Sequence, residues 1–530
     1  MKMPIDTEGQ HLIAIMTIDD CPPKTASWKY ALTCVLVILG SLFAYDFKIS
    51  AAPSRHHPNV LFIAVDDLRP ELQCYASQVM KPRAITPHLD RLAASGILFS
   101  HAYCNQAVCG ASRLSLMTGL YPEFTGERTY HVTDWRTRWP HVVTINQHFR
   151  ANGYTTVGLG KIYHGTAGPG VDPANWSEWI QVKGATYAHP ESMLNMRTSR
   201  TSAPGAQTTK SRGPCTESAD VEDHVYADGM RAREGARQIH TLAQSDKPFF
   251  LAVGFTKPHL PFNAPTRYWN LYQRVDFALP DNRSWPPGYP EWARNRQPGE
   301  LRAYSDVPSR GTPADYPDEL NKRMLHGYHA CVSYTDRNVG VLLEALEAAD
   351  IADDTIVVFW GDHGWKLGDH TSWCKHTNFE CDTRVPLIIR NPTMPKAQGT
   401  SEALVELIDV YPTLCELCAL EPPQHLQGKS FAPILKNPSI AHRVYAYSSY
   451  PHTNSTTKQR VIGHSIRSTR FRYTEWWDQE RDEVVARVAT DMKADPGETT
   501  NILPSQTFPM NQWSTHLRQR VIQSRMSPLE

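Results

Sequence analysis

The sequence lacks an excess of charge of either sign. Lysine plus arginine and aspartate plus glutamate both number 54, so the formal net charge is zero. A chain with this balance has no overall field to attract nucleic acid or an anionic membrane surface, and any anion that it binds must be recognised locally. We therefore expect no nucleic-acid partner.

The sequence also lacks internal repeats and a dense cysteine pattern. Its 530 residues include 11 cysteines, which are compatible with export but do not form a disulfide scaffold. Cys415 and Cys418 form a C-x-x-C pair at a helix start, and no second pair follows at zinc spacing, so we interpret them as packing residues. A disulfide between Cys374 and Cys381 is left open by the sequence.

An apolar run long enough to span a bilayer comfortably is missing too. The run from Tyr30 to Tyr45 has 16 residues, whereas a spanning helix needs ~20. Lysines precede it and small residues follow at 50–52, which is typical of a cleaved export signal, with an uncleaved membrane anchor as the alternative. In either case we expect the folded body to be exported to a periplasmic, extracellular or lysosome-like compartment.

Continuous apolar runs of strand length alternate with helical patterns along most of the chain. Such runs suit strands that are covered on both faces. The runs are 59–65, 155–159, 249–254, 355–360 and 385–389, and the helical patterns are 87–95, 144–152, 226–242 and 320–348. The alternation predicts an α/β domain with a large, mostly parallel mixed sheet flanked by helices.

The pattern changes after about Leu435 to short alternating runs, which predict a smaller C-terminal α+β domain with an antiparallel sheet. We therefore divide the chain into a leader at 1–58, an α/β domain at 59–435 and a C-terminal domain at 436–530. Two long stretches, 183–223 and 279–318, have the length of lids, binding loops or disordered segments.

Carboxylates and histidine follow two of the predicted strands. Asp66 and Asp67 come directly after the first strand, and Asp362 and His363 come after the strand at 355–360. Two adjacent carboxylates repel each other by about 4 kcal/mol at 4 Å and an effective dielectric near 20. Because ligands collect beyond the carboxyl ends of strands in open α/β sheets, both pairs can converge on one cation. Three carboxylates favour Ca²⁺ or Mg²⁺ over Zn²⁺.

A cysteine and an arginine mark the start of another predicted helix. Cys109 opens the run that ends at Thr118 and Gly119, with Arg113 one turn in. The free N–H groups at a helix start favour a negatively charged ligand, and Arg113 adds a fixed cation. A small buried core cysteine is the plain alternative.

Lysine and histidine occur together three times at strand ends or in adjoining loops. These pairs are Lys161 with His164, Lys257 with His259, and Lys375 with His376. Cations at such positions can clamp an anion, and a neighbouring histidine can titrate near neutral pH. Each pair alone is typical of a basic surface, but three at one sheet edge predict an anion site.

These motifs resemble the type I sulfatases from about Asn59 to Leu503, and the iduronate-2-sulfatase-like branch of that family in particular. The runs that carry the resemblance are 65–71, 109–119, 160–164, 257–262, 362–368, 375–379 and 495–501. The resemblance implies that Cys109 is converted to formylglycine by a maturation enzyme. It also implies a sulfated saccharide as substrate, with the 2-O-sulfate of a uronic acid as one candidate.

The family's residue roles carry over by position. The resemblance implies a Ca²⁺ site formed by Asp66, Asp67, Asp362, His363 and the modified Cys109. It implies that Arg113 fixes the formylglycine and that Lys161 and His164 hold the sulfate and the aldehyde hydrate. It further implies that His259 and Lys375 grip sulfate oxygens and protonate the departing sugar oxygen.

Three positions need separate comment. Ala111 stands where many sulfatases have proline; the alanine form occurs in the family, so modification is still expected. Arg460 stands where the branch places a lysine near the substrate carboxylate, and its guanidinium keeps that charge. Trp365 either lines the sugar pocket or packs in the core.

Two other functions remain open from the sequence. One is a phosphodiesterase or phosphonate hydrolase on the same scaffold. The other is an inactive protein that binds sulfated glycans, which the filled catalytic positions disfavour. Membrane attachment through the leader remains the alternative to full release.

Overall fold

A computed structural model describes residues 57–526, apart from 76–80, 133, 166–167, 195–196, 200–208, 295–298, 309–310, 393, 395–397, 455 and 506–507. The predicted leader, with Cys21 and Cys34, lies outside the described residues except at its last positions. The described part from His57 onward forms one compact unit. Within that part, no helix combines the length and apolarity needed to cross a membrane.

The structure contains a nine-stranded sheet, a four-stranded sheet and three two-stranded pairs within the described residues. The strands are β1 Asn59–Val65, β2 Ile97–Tyr103, β3 Thr155–Gly160, β4 Glu178–Ile180, β5 Arg197–Ser199, β6 Thr209–Arg212, β7 Thr216–Ala219, β8 Phe249–Phe255, β9 Phe262–Pro265, β10 Thr355–Gly361, β11 Lys366–Leu367, β12 Trp373–Cys374, β13 Arg384–Val385, β14 Leu387–Arg390, β15 Gly399–Glu406, β16 Ala446–Thr453, β17 Arg460–Arg467, β18 Phe471–Asp478 and β19 Val484–Asp491.

The α-helices, numbered along the described residues, range from single turns to one long helix of 31 residues. They are α1 Pro87–Ala94, α2 Cys109–Thr118, α3 Pro122–Thr125, α4 Trp135–Arg138, α5 Ile145–Ala151, α6 Pro190–Leu194, α7 Ala227–Leu242, α8 Thr266–Trp269, α9 Gly299–Arg302, α10 Asp318–Ala348, α11 Glu380–Thr383, α12 Val410–Leu417 and α13 Met510–Arg525.

The large sheet is mixed, as the sequence predicts. Its order is β13-β2-β14-β10-β1-β8-β3-β4, with β15 beside β2. The run from β10 to β4 is parallel, whereas β14 is antiparallel to both of its neighbours. The α/β prediction is therefore confirmed.

Strand β1 lies in the middle of the large sheet, and its residues from Val60 to Val65 are all apolar. Leu61, Ile63 and Val65 face a core that includes α7 and α10. Val60 and Phe62 face the opposite core, which includes residues of α2, α5 and α12. Each fully buried side chain of this size contributes about 1.5–3 kcal/mol to folding stability. Because helices cover both faces of the sheet, apolar residues are stabilising at every position of the run.

The small sheet is an antiparallel meander of β16, β17, β18 and β19, which confirms the predicted C-terminal architecture. Helix α13 covers one face, where Leu517 and Val521 pack with Tyr447 and Tyr473. The small sheet also contacts the chain outside it, because the side-chain amide of Asn378 donates to the Gly463 carbonyl of β17 at 3.0 Å. This contact attaches the small sheet to the loop that precedes α11.

Protonation of His464, in the core of the small sheet, should destabilise the protein in acid. His464 is 1 % exposed and lies 2.7 Å from the Tyr447 hydroxyl, and burial lowers its pKa to about 3. The unfolded chain protonates this histidine below pH ~6.5, so its contribution is present above that pH and is lost as the pH falls toward 3. We expect His464→Gln to reduce the loss of unfolding free energy between pH 7 and 5 by about 2 kcal/mol.

Urea unfolding at the two pH values measures this difference. His131→Gln is the matched control because His131 is exposed. An unchanged pH dependence in His464→Gln would contradict the prediction.

Candidate active site

The predicted ligand pairs meet at the carboxyl ends of two neighbouring parallel strands. Asp66 and Asp67 follow β1, and Asp362 and His363 follow β10, which pairs with β1 in register from Asn59 to Val65. All four side chains are fully buried. The strand pairing brings the two sequence motifs together, as expected for an open α/β sheet.

Four of the predicted metal ligands form one group. Asp66, Asp67, Cys109 and His363 each offer a ligand atom, and these atoms lie within 4.8 Å of one another. Oδ1 of Asp66 is buried and makes no hydrogen bond. Two of the four donors are carboxylate oxygens, and a buried carboxylate oxygen without a hydrogen bond fits a hard cation such as Ca²⁺.

The fifth predicted ligand, Asp362, lies beside this group and makes other contacts. Its Oδ2 pairs with Nε of Arg113 at 2.8 Å, and its Oδ1 accepts backbone N–H groups of Asp67 at 3.1 Å and His363 at 2.9 Å. The carboxylate therefore ties the two strand ends to α2. Its metal role stays a prediction.

The adjacent carboxylates have opposite ionisation behaviour. Burial, which Lys375 partly offsets, raises the pKa of Asp67 to about 8. Burial also opposes ionisation of Asp66, but the cations around it, Lys161 first, hold its pKa well below the usual range. A bound cation would stabilise both carboxylates in their charged form.

Cys109 lies at the first position of α2, beyond the extended residue Val108, and is 2 % exposed. Its Sγ lies 3.3 Å from Nε2 of His363. Burial, followed by the charge of Asp66, raises the pKa of this thiol well above its ordinary value. The thiol is therefore protonated at neutral pH and is a poor nucleophile as it stands.

Arg113 connects three elements from a fully buried position one turn into α2. Besides its bond to Asp362, it donates to the backbone carbonyls of Lys161 and Ile162 just after β3. Its guanidinium also lies 5.5 Å from the centre of the Trp360 ring. These contacts hold the start of α2 against the ends of β3 and β10.

Two predicted lysines make ion pairs with the strand-end carboxylates. Nζ of Lys161 pairs with Asp66. Nζ of Lys375 lies 2.9 Å from Oδ1 of Asp67. Lys257 differs, because its ammonium donates to the carbonyls of His259 and Pro261 and so fixes its own loop.

The two predicted histidines occupy different surroundings. Nδ1 of His164 is buried without a hydrogen bond, and burial, then Lys161, lowers its pKa to about 3, so the ring is neutral. His259 uses Nδ1 for the Leu260 carbonyl at 2.7 Å. Its Nε2 lies 2.6 Å from Oε1 of Glu300.

Glu300 is a site residue that the sequence does not reveal. It lies in α9, within the stretch 279–318 that is predicted as a lid or binding loop, and its second oxygen lies 3.1 Å from Nζ of Lys375. No motif surrounds it, and only the length of the stretch indicated a role near the site.

Trp365 and Arg460, the two predicted substrate-binding residues, differ in exposure. Trp365 is fully buried, with Nζ of Lys375 4.7 Å from its ring centre, and this placement agrees with the core alternative. Arg460 begins β17 with 68 % of its side chain exposed, 3.9 Å from Glu480. Its proposed contact with a substrate carboxylate stays a prediction.

The four cysteines of the two sequence pairs discussed above are free thiols. Cys415 and Cys418 are buried free thiols in the core that covers one face of the large sheet, which agrees with a packing role. Cys374 and Cys381 are also free, so the disulfide left open by the sequence is absent from the described residues.

The fold and the site together match those of a known class of hydrolases, which remove sulfate from esters. The chain belongs to the sulfatase family: the family model "Sulfatase" matches residues 58–419, and that for the C-terminal part of N-sulphoglucosamine sulphohydrolase matches residues 368–527. The predicted family is confirmed, and the protein is a sulfatase enzyme.

Known proteins resemble the chain over most of its length. Iduronate 2-sulfatase of Homo sapiens is 31% identical over 527 residues, covering 88% of this chain and 93% of the relative. The structure of BT4656 with D-glucosamine-2-N,6-O-disulfate has a TM-score of 0.66 at 23% identity, covering 88% and 98% of the two chains. Phosphonate monoester hydrolase of Agrobacterium radiobacter has a TM-score of 0.65 at 21% identity, covering 88% and 96%.

Proposed function

We propose that this sulfatase removes sulfate from a sulfated saccharide, using a formylglycine made from Cys109 and one Ca²⁺. The observation that carries the proposal is the buried group of Asp66, Asp67, His363 and residue 109, whose ligand atoms lie within 4.8 Å of one another. When present, the cation and the hydrated aldehyde supply positive charge and a hydroxyl nucleophile at one point. The chain's own residues then have to place the sulfate there.

The lysines and histidines support binding of a sulfate group. Lys161 and Lys375 lie against the two carboxylates on either side of the cation site and can donate to sulfate oxygens. His164 is held neutral, so it can accept or donate one proton at a single nitrogen. His259 presents Nε2 toward the same space and is our candidate for protonating the leaving sugar oxygen.

Partly exposed aromatic rings beside the sulfate site support a saccharide substrate. His376 follows Lys375 directly and lies 5.6 Å from the ring of Tyr450, which lies 5.1 Å from His452. Trp292 lies 6.4 Å from His452, so the rings of these four residues form a row. Burial lowers the pKa of both histidines to about 3, so the row is uncharged, and neutral aromatic faces pack well against sugar rings.

Tyr450→Ala should weaken saccharide binding without harming the chemistry. We expect KM for a sulfated oligosaccharide to rise by roughly fivefold, because one stacked ring contributes about 1 kcal/mol. The rate on a small aryl sulfate should stay near that of the wild-type enzyme, since this substrate carries no sugar ring to pack against Tyr450. Tyr450→Phe keeps the ring and is the matched control; equal losses on both substrates would contradict the prediction.

Parallel assays on an aryl sulfate and a phosphodiester test the reaction class. A phosphonate hydrolase is the second candidate because a protein of that name shares the fold. We expect higher kcat/KM on the sulfate ester, and a clear preference for the phosphodiester would overturn the proposal. A desulfation screen over defined saccharides, including uronate 2-O-sulfates, would then identify the substrate.

Mass spectrometry of the peptide with residue 109 tests the maturation step. We propose that a formylglycine-generating enzyme of the host modifies Cys109, and that the chain is exported. A thiol at this position after expression in a competent host would favour the inactive glycan-binding alternative. N-terminal sequencing of the exported protein would distinguish a cleaved signal from a membrane anchor.

A further inference from the structure

Glu300 bridges the two side chains that the proposed mechanism assigns to the substrate sulfate. Its Oε1 lies 2.6 Å from Nε2 of His259. Its Oε2 lies 3.1 Å from Nζ of Lys375. Since Nδ1 of His259 donates to the Leu260 carbonyl, Nε2 donates when the ring is an imidazolium. In that form the two oxygens meet two donors in the way that two oxygens of a sulfate group would.

The backbone at Glu300 is held in place, so only its side chain is free to leave. The next residue, Leu301, is fully buried in the core. The guanidinium of Arg212 donates to the Glu300 carbonyl at 3.2 Å and lies over the ring of Tyr304. The Glu300 side chain is 18 % exposed, so part of it already borders solvent.

His259 has no second nitrogen to offer an incoming anion. Its Nδ1 is engaged by the Leu260 carbonyl at 2.7 Å, which leaves Nε2 for the site. Nε2 contacts Glu300 in this structure. A substrate sulfate and the Glu300 carboxylate therefore compete for one donor. Because both are anions, they would repel each other if they contacted Nε2 together.

A second metal ion is a poor account of the same cluster. Asp67, His259 and Glu300 do offer three ligand atoms close together. The ammonium of Lys375, however, already lies within 3.1 Å of both carboxylates. Because that ammonium already contacts an oxygen of each carboxylate, a second metal ion would have to displace it.

We propose that Glu300 is an internal competitor that occupies the sulfate position in the substrate-free enzyme. The sulfate ester displaces it by rotation of the Glu300 side chain, and the side chain returns as inorganic sulfate leaves. This inference rests on the proposed sulfatase function. Its consequence is weak retention of free sulfate, because a small anion without a sugar has fewer contacts with which to displace the carboxylate.

Glu300→Gln tests the competition directly with inorganic sulfate as the probe. We expect the inhibition constant of sulfate, measured against an aryl sulfate, to fall by about tenfold or more. KM of the aryl sulfate should also fall, and kcat should stay within about threefold of the wild-type value. Glu300→Asp retains the charge on a shorter arm and should also bind sulfate more tightly, since it cannot bridge both donors.

Glu319→Gln is the matched control, because it removes an equal charge from an exposed pair with Arg274. It should leave the affinity for sulfate unchanged. Unaltered sulfate affinity in Glu300→Gln would overturn the inference. So would a large loss of kcat at constant KM, which would instead assign Glu300 to the protonation of His259.

Calorimetric titration of the same variants with sulfate separates this inference from the proposed function. Binding of sulfate needs no turnover, so the affinity difference is measurable even if no sulfate ester is hydrolysed. Hydrolysis with equal sulfate affinities in both proteins would overturn the inference alone. Tighter binding in Glu300→Gln without hydrolysis would support the inference and overturn the reaction.

Discussion

Cys109→Ala is expected to reduce kcat by roughly 10⁴-fold or more, since it removes the proposed precursor of the nucleophile. The side chain lies at the start of α2, 2 % exposed and 3.3 Å from His363. Burial raises the pKa of its thiol, so the proposed modification, rather than the sulfur itself, would supply the reactivity. Alanine leaves the backbone and Arg113 in place, and the fold should persist.

Cys104→Ala provides the matched control for this variant. Cys104 is also a fully buried free thiol, and its sulfur contacts only the carbonyl of Asp382, at 3.8 Å, among the hydrogen bonds of the described residues. We expect nearly full activity from that variant. The peptide with residue 109 should show the same mass change as in the wild-type enzyme. Substantial turnover in Cys109→Ala on an aryl sulfate would contradict the assignment of the nucleophile.

Asp66→Asn is expected to abolish both metal retention and turnover. The substitution preserves shape but removes the charge of a carboxylate whose Oδ1 is buried without a hydrogen bond. It also leaves the ammonium of Lys161 without its buried partner, which costs several kcal/mol of stability on its own. We expect calcium content to fall to background and kcat/KM to fall by roughly 10³-fold or more.

Elemental analysis after dialysis, together with kcat/KM, measures this outcome. Asp336→Asn is the control because Asp336 is equally buried but accepts the N–H groups of His88 and Leu89 at the start of α1. That variant should lose stability while keeping its metal. Full calcium retention in Asp66→Asn would contradict the metal assignment.

The parallel core of the fold was predictable from residues that face two cores at once. The run from Asn59 to Val65 is β1 in full, because helices cover both of its faces. Strand β15 was not predicted, since its sequence from Gly399 to Glu406 is half polar and its first residues are exposed. Pro386, which cannot donate to a ladder, divides the predicted strand at 385–389 between β13 and β14.

The site was predictable where its residues follow strands. The pairs after β1 and β10 had to meet once those strands paired in parallel. Glu300 could not be predicted in this way, because its place depends on the burial of Leu301 within a long irregular stretch. The same holds for Trp365, whose burial beneath Lys375 depends on packing that no local pattern encodes.

The two groups of side chains at the active site come from different parts of the chain. Lys161, His164 and His259 follow strands of the large sheet, and Lys375 follows the two-stranded pair of β11 and β12. Tyr450 and His452 instead belong to β16 of the small sheet. Under the proposed function, substitutions in β16 would change which sugar is accepted without disturbing the ligands proposed for the cation and the sulfate. Such a division would let related genes differ in the sugar that their products accept while the reaction stays the same.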